Sequence, residues 1–137
     1  MPTAQLQSIM DHLSARLAAE PEVVFALLHG SVLHGAAFRD IDVAVFFGLA
    51  DRISAERAAL DLEARLQEPT LPAPIEVQPL DTAPVVFGHR VISEGLVVFA
   101  RTNDGALALA EFTERTIHEY LATEHLRRTI SAGLGAV

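Results

Sequence analysis

The chain has 137 residues, 50% of them hydrophobic, and its 18 acidic and 10 basic residues give a formal charge of −8. It contains no cysteine and no lysine, which excludes thiol nucleophiles, Cys-bound metals, Schiff-base lysines and the Walker A phosphate loop. The acidic balance makes nucleic acid an unexpected partner, because Lys and Arg supply most of the affinity for phosphate backbones.

Nothing in the sequence indicates a secreted or membrane protein. The first residues lack the basic segment and apolar run of a secretory leader. Every apolar run falls far short of the roughly 20 residues that span a bilayer. We therefore expect a cytoplasmic protein with no membrane partner.

Apolar periodicity divides the first half of the chain into a helix, two strands and a second helix. Helical spacing of apolar residues indicates a helix over about 4–19. Two short, continuously apolar runs then indicate buried strands at about 23–28 and 41–47. Ser54 is expected to cap a helix over about 55–67, which prolines terminate.

The second half repeats this alternation. A strand at about 75–80 is followed by a short helix at about 85–93, and Gly95 is expected to end that helix in a left-handed conformation. A last strand covers about 96–100, a long helix covers about 106–130, and the Gly-rich tail beyond it is expected to fray. This order predicts one α/β (α+β) domain over residues 1–137, with a mixed β-sheet flanked by helices.

Two acidic residues lie unusually close to a buried strand. Asp40 and Asp42 are two positions apart at its start, so their side chains project to the same face. Arg39 is the only adjacent base and cannot neutralise both. Paired carboxylates of this kind typically bind a divalent hard metal ion.

A second polar feature follows the preceding strand. Gly30 and Ser31 end it, and Gly35 comes shortly afterwards. A turn of this type offers backbone N–H groups and a hydroxyl that suit phosphate oxygens. The predicted phosphate cradle and the acid pair lie at the ends of consecutive strands. Open α/β sheets bind ligands at such positions.

These motifs resemble a known family, the minimal nucleotidyltransferases (MNT domains) of the DNA polymerase β-like superfamily. The resemblance rests on the segments 28–31, 39–43, 75–77, 81–84 and 93–99 and on Gly35. It covers about residues 20–125, with a motif core over about 20–100. The fold that it implies is the mixed sheet with flanking helices predicted above.

The resemblance implies a chemistry and assigns residues to it. Two Mg²⁺ ions, for which Mn²⁺ can substitute, would assist the transfer of a nucleoside monophosphate from a nucleoside triphosphate to a hydroxyl group. The catalytic and metal-binding residues would be Asp40, Asp42 and Glu76. Those that bind the nucleotide, taken as ATP, would be Gly30, Ser31, His34 and Arg39.

Small chains of this family resemble the antitoxins of HEPN–MNT toxin–antitoxin pairs. The resemblance then implies a protein adenylyltransferase that transfers AMP from ATP to a Tyr hydroxyl of a partner HEPN ribonuclease. The charge of −8 agrees with a partner that presents a basic surface for RNA.

Two alternatives stay open from the sequence. The chain could neutralise its partner by binding alone, without catalysis. The segment between Ser31 and Asp40 is two residues shorter than in the usual family motif, His34 replaces a common Arg, and Glu76 replaces the usual Asp. The chain could also modify a small molecule such as an antibiotic, in which case a homo-oligomer would supply the missing pocket wall.

Overall fold

The computed structural model describes residues 3–35 and 37–135, and it has the helices and strands that apolar periodicity predicts, in the same order. The sheet and its covering helices consist of eight elements: α1 Ala4–Ala18, β1 Phe25–His29, β2 Ile41–Phe46, α2 Arg52–Leu66, β3 Ile75–Pro79, α3 Val85–Glu94, β4 Leu96–Ala100 and α4 Gly105–Gly135. A short 3-10 turn, Ser31–His34, follows β1.

The four strands form one mixed sheet in the order β3-β2-β1-β4. The central strand β1 pairs antiparallel with both β2 and β4, whereas β2 and β3 run parallel. Parallel strands need a crossover connection between them, and α2 provides it. The expected mixed α/β sheet is confirmed.

Helices cover both faces of this sheet and divide the core into two layers. Leu13 of α1 and Leu62 of α2 pack with Leu28 and Val43 on one face. The other face packs against α3 and α4. There Phe25 stacks on Phe46 with ring centroids 4.9 Å apart and contacts Phe112 of α4 at 5.7 Å. Alternation along each strand sends successive residues to opposite layers.

Side chains from the last turn of α2 and from its C-cap residue pair with the edge strand β3. The carboxylate of Glu63 accepts the backbone N–H of Val77 at 2.8 Å. The amide of Gln67 both donates to and accepts from the backbone of Ile75, at 2.7 and 3.0 Å. These contacts satisfy backbone groups that an edge strand would otherwise leave without a partner.

The start of α2 differs from the sequence-based expectation. Asp51, not Ser54, is the N-cap residue, and its carboxylate accepts the backbone N–H of Ser54 at 2.8 Å. The same hydrogen bond lowers the pKa of Asp51 below its ordinary value of 3.8. Asp51 and Ser54 are both of residue types that cap helices, and the helix begins directly after the more N-terminal of the two.

Two further local expectations were wrong. Gly95 has φ −78° and ψ 166°, an extended conformation. Glycine is required there because a Cβ would lie 2.5 Å from the carbonyl oxygen of Val91. The Gly-rich tail also stays helical, since α4 continues to Gly135. Within residues 3–35 and 37–135, every helix is too short or too polar to span a bilayer.

Candidate functional site

Strand register places three polar side chains in one row across the sheet. His29 of β1 lies opposite Asp42 of β2, and Asp42 lies opposite Glu76 of β3. Directly paired residues project to the same face. Because Phe25 and Leu27 share that face with His29, the row continues the layer covered by α3 and α4.

The row lies at the margin of that layer, where the helices leave it open to solvent. Asp42 and His29 are half-buried, whereas Glu76 is exposed. The ring of Phe87 on α3 meets the ring of His29 edge-on, with centroids 5.5 Å apart. The row is thus anchored at its inner end and accessible at its outer end.

Gly30 brings the loop after β1 against the carboxylate of Asp42. Its φ of +82° is a conformation that side chains rarely adopt. A Cβ at this position would lie 2.5 Å from Asp42 Oδ2. The 3-10 turn that follows is held by buried Val32, and Gly35, with a φ of +67°, comes directly after it. Only glycine at position 30 allows this approach.

The other oxygen of Asp42 accepts a hydrogen bond. The amide nitrogen of Gln78 donates to Asp42 Oδ1 at 3.2 Å, and the amide oxygen of Gln78 lies 3.0 Å from His29 Nε2. A carboxylate only accepts hydrogen bonds, so the amide nitrogen must face Asp42. His29 Nε2 must then carry a hydrogen and donate it to Gln78.

The sequence motifs assign no role to Gln78 or His29. A signal for Gln78 was present, because it lies two positions after Glu76 and therefore on the same face of β3. The contact with His29 depends on β1 and β3 flanking β2, and this strand order cannot be deduced from periodicity.

The remaining sequence-predicted residues lie around the row. Asp40 is half-buried one residue before β2, and Arg39 beside it is exposed. Ser31 begins the 3-10 turn and His34 ends it, both with exposed side chains. The structure therefore brings Gly30, Asp42 and Glu76 to one face, with these four residues on the adjoining loop.

The donor atoms suit a hard divalent cation, but the three acids are not gathered at one point. Carboxylate oxygens are the ligands that Mg²⁺ prefers, and Asp42 and Glu76 are register partners. Within residues 3–35 and 37–135, however, no three His, Asp or Glu side chains lie close enough together to hold one ion. The residue types and the direction in which they face fit a metal ion. One oxygen of Asp42, the middle residue of the row, already accepts a hydrogen bond from Gln78.

A cavity adjoins the row on the side of α3. Its volume is about 230 Å³, and Gln78, Thr82, Pro84 and Phe87 line it together with the ion pair of Arg52 and Glu56. Asp81 shapes the neighbouring loop by accepting the backbone N–H groups of Phe47 and Leu49. Gln78 therefore contacts both Asp42 and the cavity.

Comparison with known families identifies the class of protein. The family described as "Polymerase beta, Nucleotidyltransferase" matches residues 11–104, more than half of the chain. The chain belongs to this nucleotidyltransferase family, as its motifs predicted. The match includes Gly30, Asp42 and Glu76. No curated protein matches the chain significantly.

Solved structures of toxin–antitoxin proteins share the fold. A toxin–antitoxin structure with AMP-PNP is 23% identical, with a TM-score of 0.61 and coverage of 96% of this chain and 98% of that one. The toxin–antitoxin MntA–HepT is 22% identical, with a TM-score of 0.56 and coverage of 93% and 94%. A tri-AMPylated Shewanella oneidensis HEPN toxin in complex with MNT antitoxin gives 22% identity, a TM-score of 0.57 and coverage of 93% of both chains. At this identity the similarity shows the fold.

Proposed function

We propose that the chain is a metal-dependent adenylyltransferase that transfers AMP from ATP to a hydroxyl of a HEPN ribonuclease toxin and so acts as its antitoxin. The observation that carries this proposal is the register of Asp42 with Glu76 on one open face, with Gly30 fitted against the Asp42 carboxylate. Membership of the nucleotidyltransferase family supports the reaction class.

In this proposal the three acids hold the cations and the loop holds the nucleotide. Asp40, Asp42 and Glu76 would bind two Mg²⁺ ions, with Mn²⁺ as a substitute. Divalent ions at such a site neutralise the triphosphate and stabilise the attacking and leaving oxygens of the displacement. The loop residues would bind the phosphates of ATP: Gly30, Ser31, His34 and Arg39.

The transfer forms one bond and breaks one. The acceptor oxygen bonds to the α-phosphorus of ATP, and the bond from that phosphorus to the oxygen bridging the α- and β-phosphates breaks. Pyrophosphate leaves with the bonding electrons. Glu76 is the proposed acceptor of the hydroxyl proton, because its exposed carboxylate lies beside Asp42 and can reach an incoming hydroxyl.

A Tyr hydroxyl of a HEPN toxin is the proposed acceptor. Two structural relatives support it: one contains AMP-PNP, and another pairs an MNT antitoxin with an AMPylated HEPN toxin. The charge of −8 also favours association with a protein that presents a basic surface. Because such a toxin acts on RNA, we place the pair in the cytoplasm.

A second candidate is an antitoxin that neutralises its partner by binding alone. One observation favours it, since within the described parts of the chain the three acids do not converge on a single point. Glu76 also remains exposed. In this alternative the chain keeps the family fold without catalysing transfer.

One experiment separates the two candidates. The purified chain is incubated with ATP, Mg²⁺ and the HEPN partner, and the partner's intact mass and ribonuclease activity are measured. We expect a mass increase of one or more AMP groups and loss of ribonuclease activity. The variant Asp42→Asn should neither add mass to the partner nor abolish its ribonuclease activity. Asp61→Asn, which changes an exposed acid on α2, should behave like the wild type. Equal neutralisation by Asp42→Asn without any mass increase would establish the binding-only alternative.

A further inference from the structure

We infer that Gln78 is a positioning residue for Asp42, holding its carboxylate in the orientation that a divalent cation requires. The inference rests on the proposed function and adds to it a residue outside the family motifs described above. It is carried by a hydrogen-bonded chain that runs across the sheet from His29 through Gln78 to Asp42.

The chain of contacts spans a strand that lies between its two ends. β1 and β3 are both neighbours of β2 and not of each other, so their backbones lie about 9–10 Å apart, twice the usual strand spacing. His29 and Gln78 have side chains long enough to meet above β2. Gln78 lies opposite Ala44 in the register, and this small side chain leaves room for the contact.

Both oxygens of Asp42 are constrained as a result. Gln78 donates to Oδ1, and the backbone of Gly30 lies against Oδ2. His29 cannot turn away easily, because Phe87 of α3 packs against its ring. The orientation of the carboxylate is therefore fixed from β1, β3 and α3 together.

Of these residues, Gln78 is the one that can be replaced without disturbing the core. It is only half-buried and belongs to neither apolar layer of the core. Replacing it should therefore leave the fold intact while freeing Asp42 to rotate. Residues that orient a metal ligand typically change metal affinity or activity by about 10–100-fold when they are removed.

The test compares wild type with Gln78→Leu, because leucine keeps a similar volume and removes both hydrogen bonds. Mn²⁺ binding is titrated by calorimetry without nucleotide, and kcat and KM for ATP are measured in AMP transfer. Gln5→Leu, an exposed position on α1, is the control, and thermal unfolding monitors the fold of each variant.

We expect Gln78→Leu to unfold near the wild-type temperature and to bind Mn²⁺ about 10–100-fold more weakly. The value of kcat should fall further than KM for ATP rises. Unchanged or tighter Mn²⁺ binding by Gln78→Leu would overturn the inference, and so would a wild type that binds no Mn²⁺. A wild type that binds Mn²⁺ but transfers no AMP would refute the proposed function alone, and the calorimetric comparison would still decide the role of Gln78.

Discussion

At the scale of single residues, the site depends on an unusually close contact between a glycine and a carboxylate. Gly30 combines a φ of +82° with a Cβ position only 2.5 Å from Asp42 Oδ2. Gly35, five residues later, also has positive φ but would meet nothing within 4 Å. Both positions favour glycine because φ is positive. Only at position 30 would a side chain also collide with a neighbouring atom.

This difference yields a matched pair of variants. Gly35→Ala should lose about 1–2 kcal/mol of stability, because its φ of +67° and ψ of 2° are left-handed. Gly30→Ala should lose more, because its φ of +82° and ψ of −160° are open essentially to glycine alone and its Cβ would meet Asp42. Only Gly30→Ala should displace Asp42, and we expect its Mn²⁺ affinity and AMP transfer to fall by at least about 10-fold. Calorimetry and thermal unfolding measure the two effects separately. Equal losses of Mn²⁺ affinity in the two variants would show that the contact with Asp42 is unimportant.

The N-cap residue of α2 should make the stability of the fold depend on pH. Because the hydrogen bond from Ser54 lowers the pKa of Asp51, its ionised form stabilises the folded state above its ordinary pKa of 3.8. That contribution is lost as pH falls through the lower, folded-state pKa. Asp51→Ala should therefore melt a few degrees below wild type at pH 7, and the difference should shrink in acid below pH 3.8. A difference in melting temperature that stays constant down to pH 2 would contradict this account.

The placement of the candidate site residues was predictable only as far as alternation along a strand. Asp42 and Glu76 each follow the first residue of a predicted strand, and they pair because these two strands are parallel neighbours. The contact between His29 and Gln78 was not predictable, since it requires the order of three strands and a small residue between them. The choice of Asp51 over Ser54 as cap was equally beyond the sequence, because both residue types cap helices well.

At the scale of elements, apolar periodicity predicted each helix and strand, and most boundaries differ by one to three residues. What it could not show is how α2 completes the sheet. Glu63 lies in the last turn of this helix and Gln67 is its C-cap residue. Both side chains pair with the backbone of β3 as a neighbouring strand would. The helix thereby fixes the strand that carries Glu76 and Gln78.

Removing one of these contacts should loosen β3. We expect Glu63→Leu to cost about 1 kcal/mol, because the N–H of Val77 loses its acceptor. Glu63→Gln keeps an acceptor oxygen and should cost less. Chemical unfolding measures the stability of both variants, and hydrogen exchange at Val77 should accelerate in Glu63→Leu more than in Glu63→Gln. Unchanged exchange in Glu63→Leu would mean that the side chain does not protect this strand.

At the scale of the whole molecule, the sheet and helices present one open row of polar groups on an acidic domain. The opposite face of the sheet is filled by α1 and α2, so the row is open to solvent from the side of α3 and the 3-10 turn. The charge of −8 disfavours RNA as the acceptor and favours a basic protein. The family match and this placement together support nucleotidyl transfer, and the proposed acceptor is a hydroxyl of such a protein.

The central claim is that the α-phosphate of ATP, with its adenosine, moves to the partner. Labelling settles this directly: the chain, Mg²⁺ and the HEPN partner are incubated with ATP labelled at either the α- or the γ-phosphate, and protein-bound label is counted. We expect α-label to be incorporated and γ-label not to be, and we expect Asp42→Asn to abolish incorporation. Incorporation of γ-label, or neutralisation of the partner with no label at all, would contradict this claim.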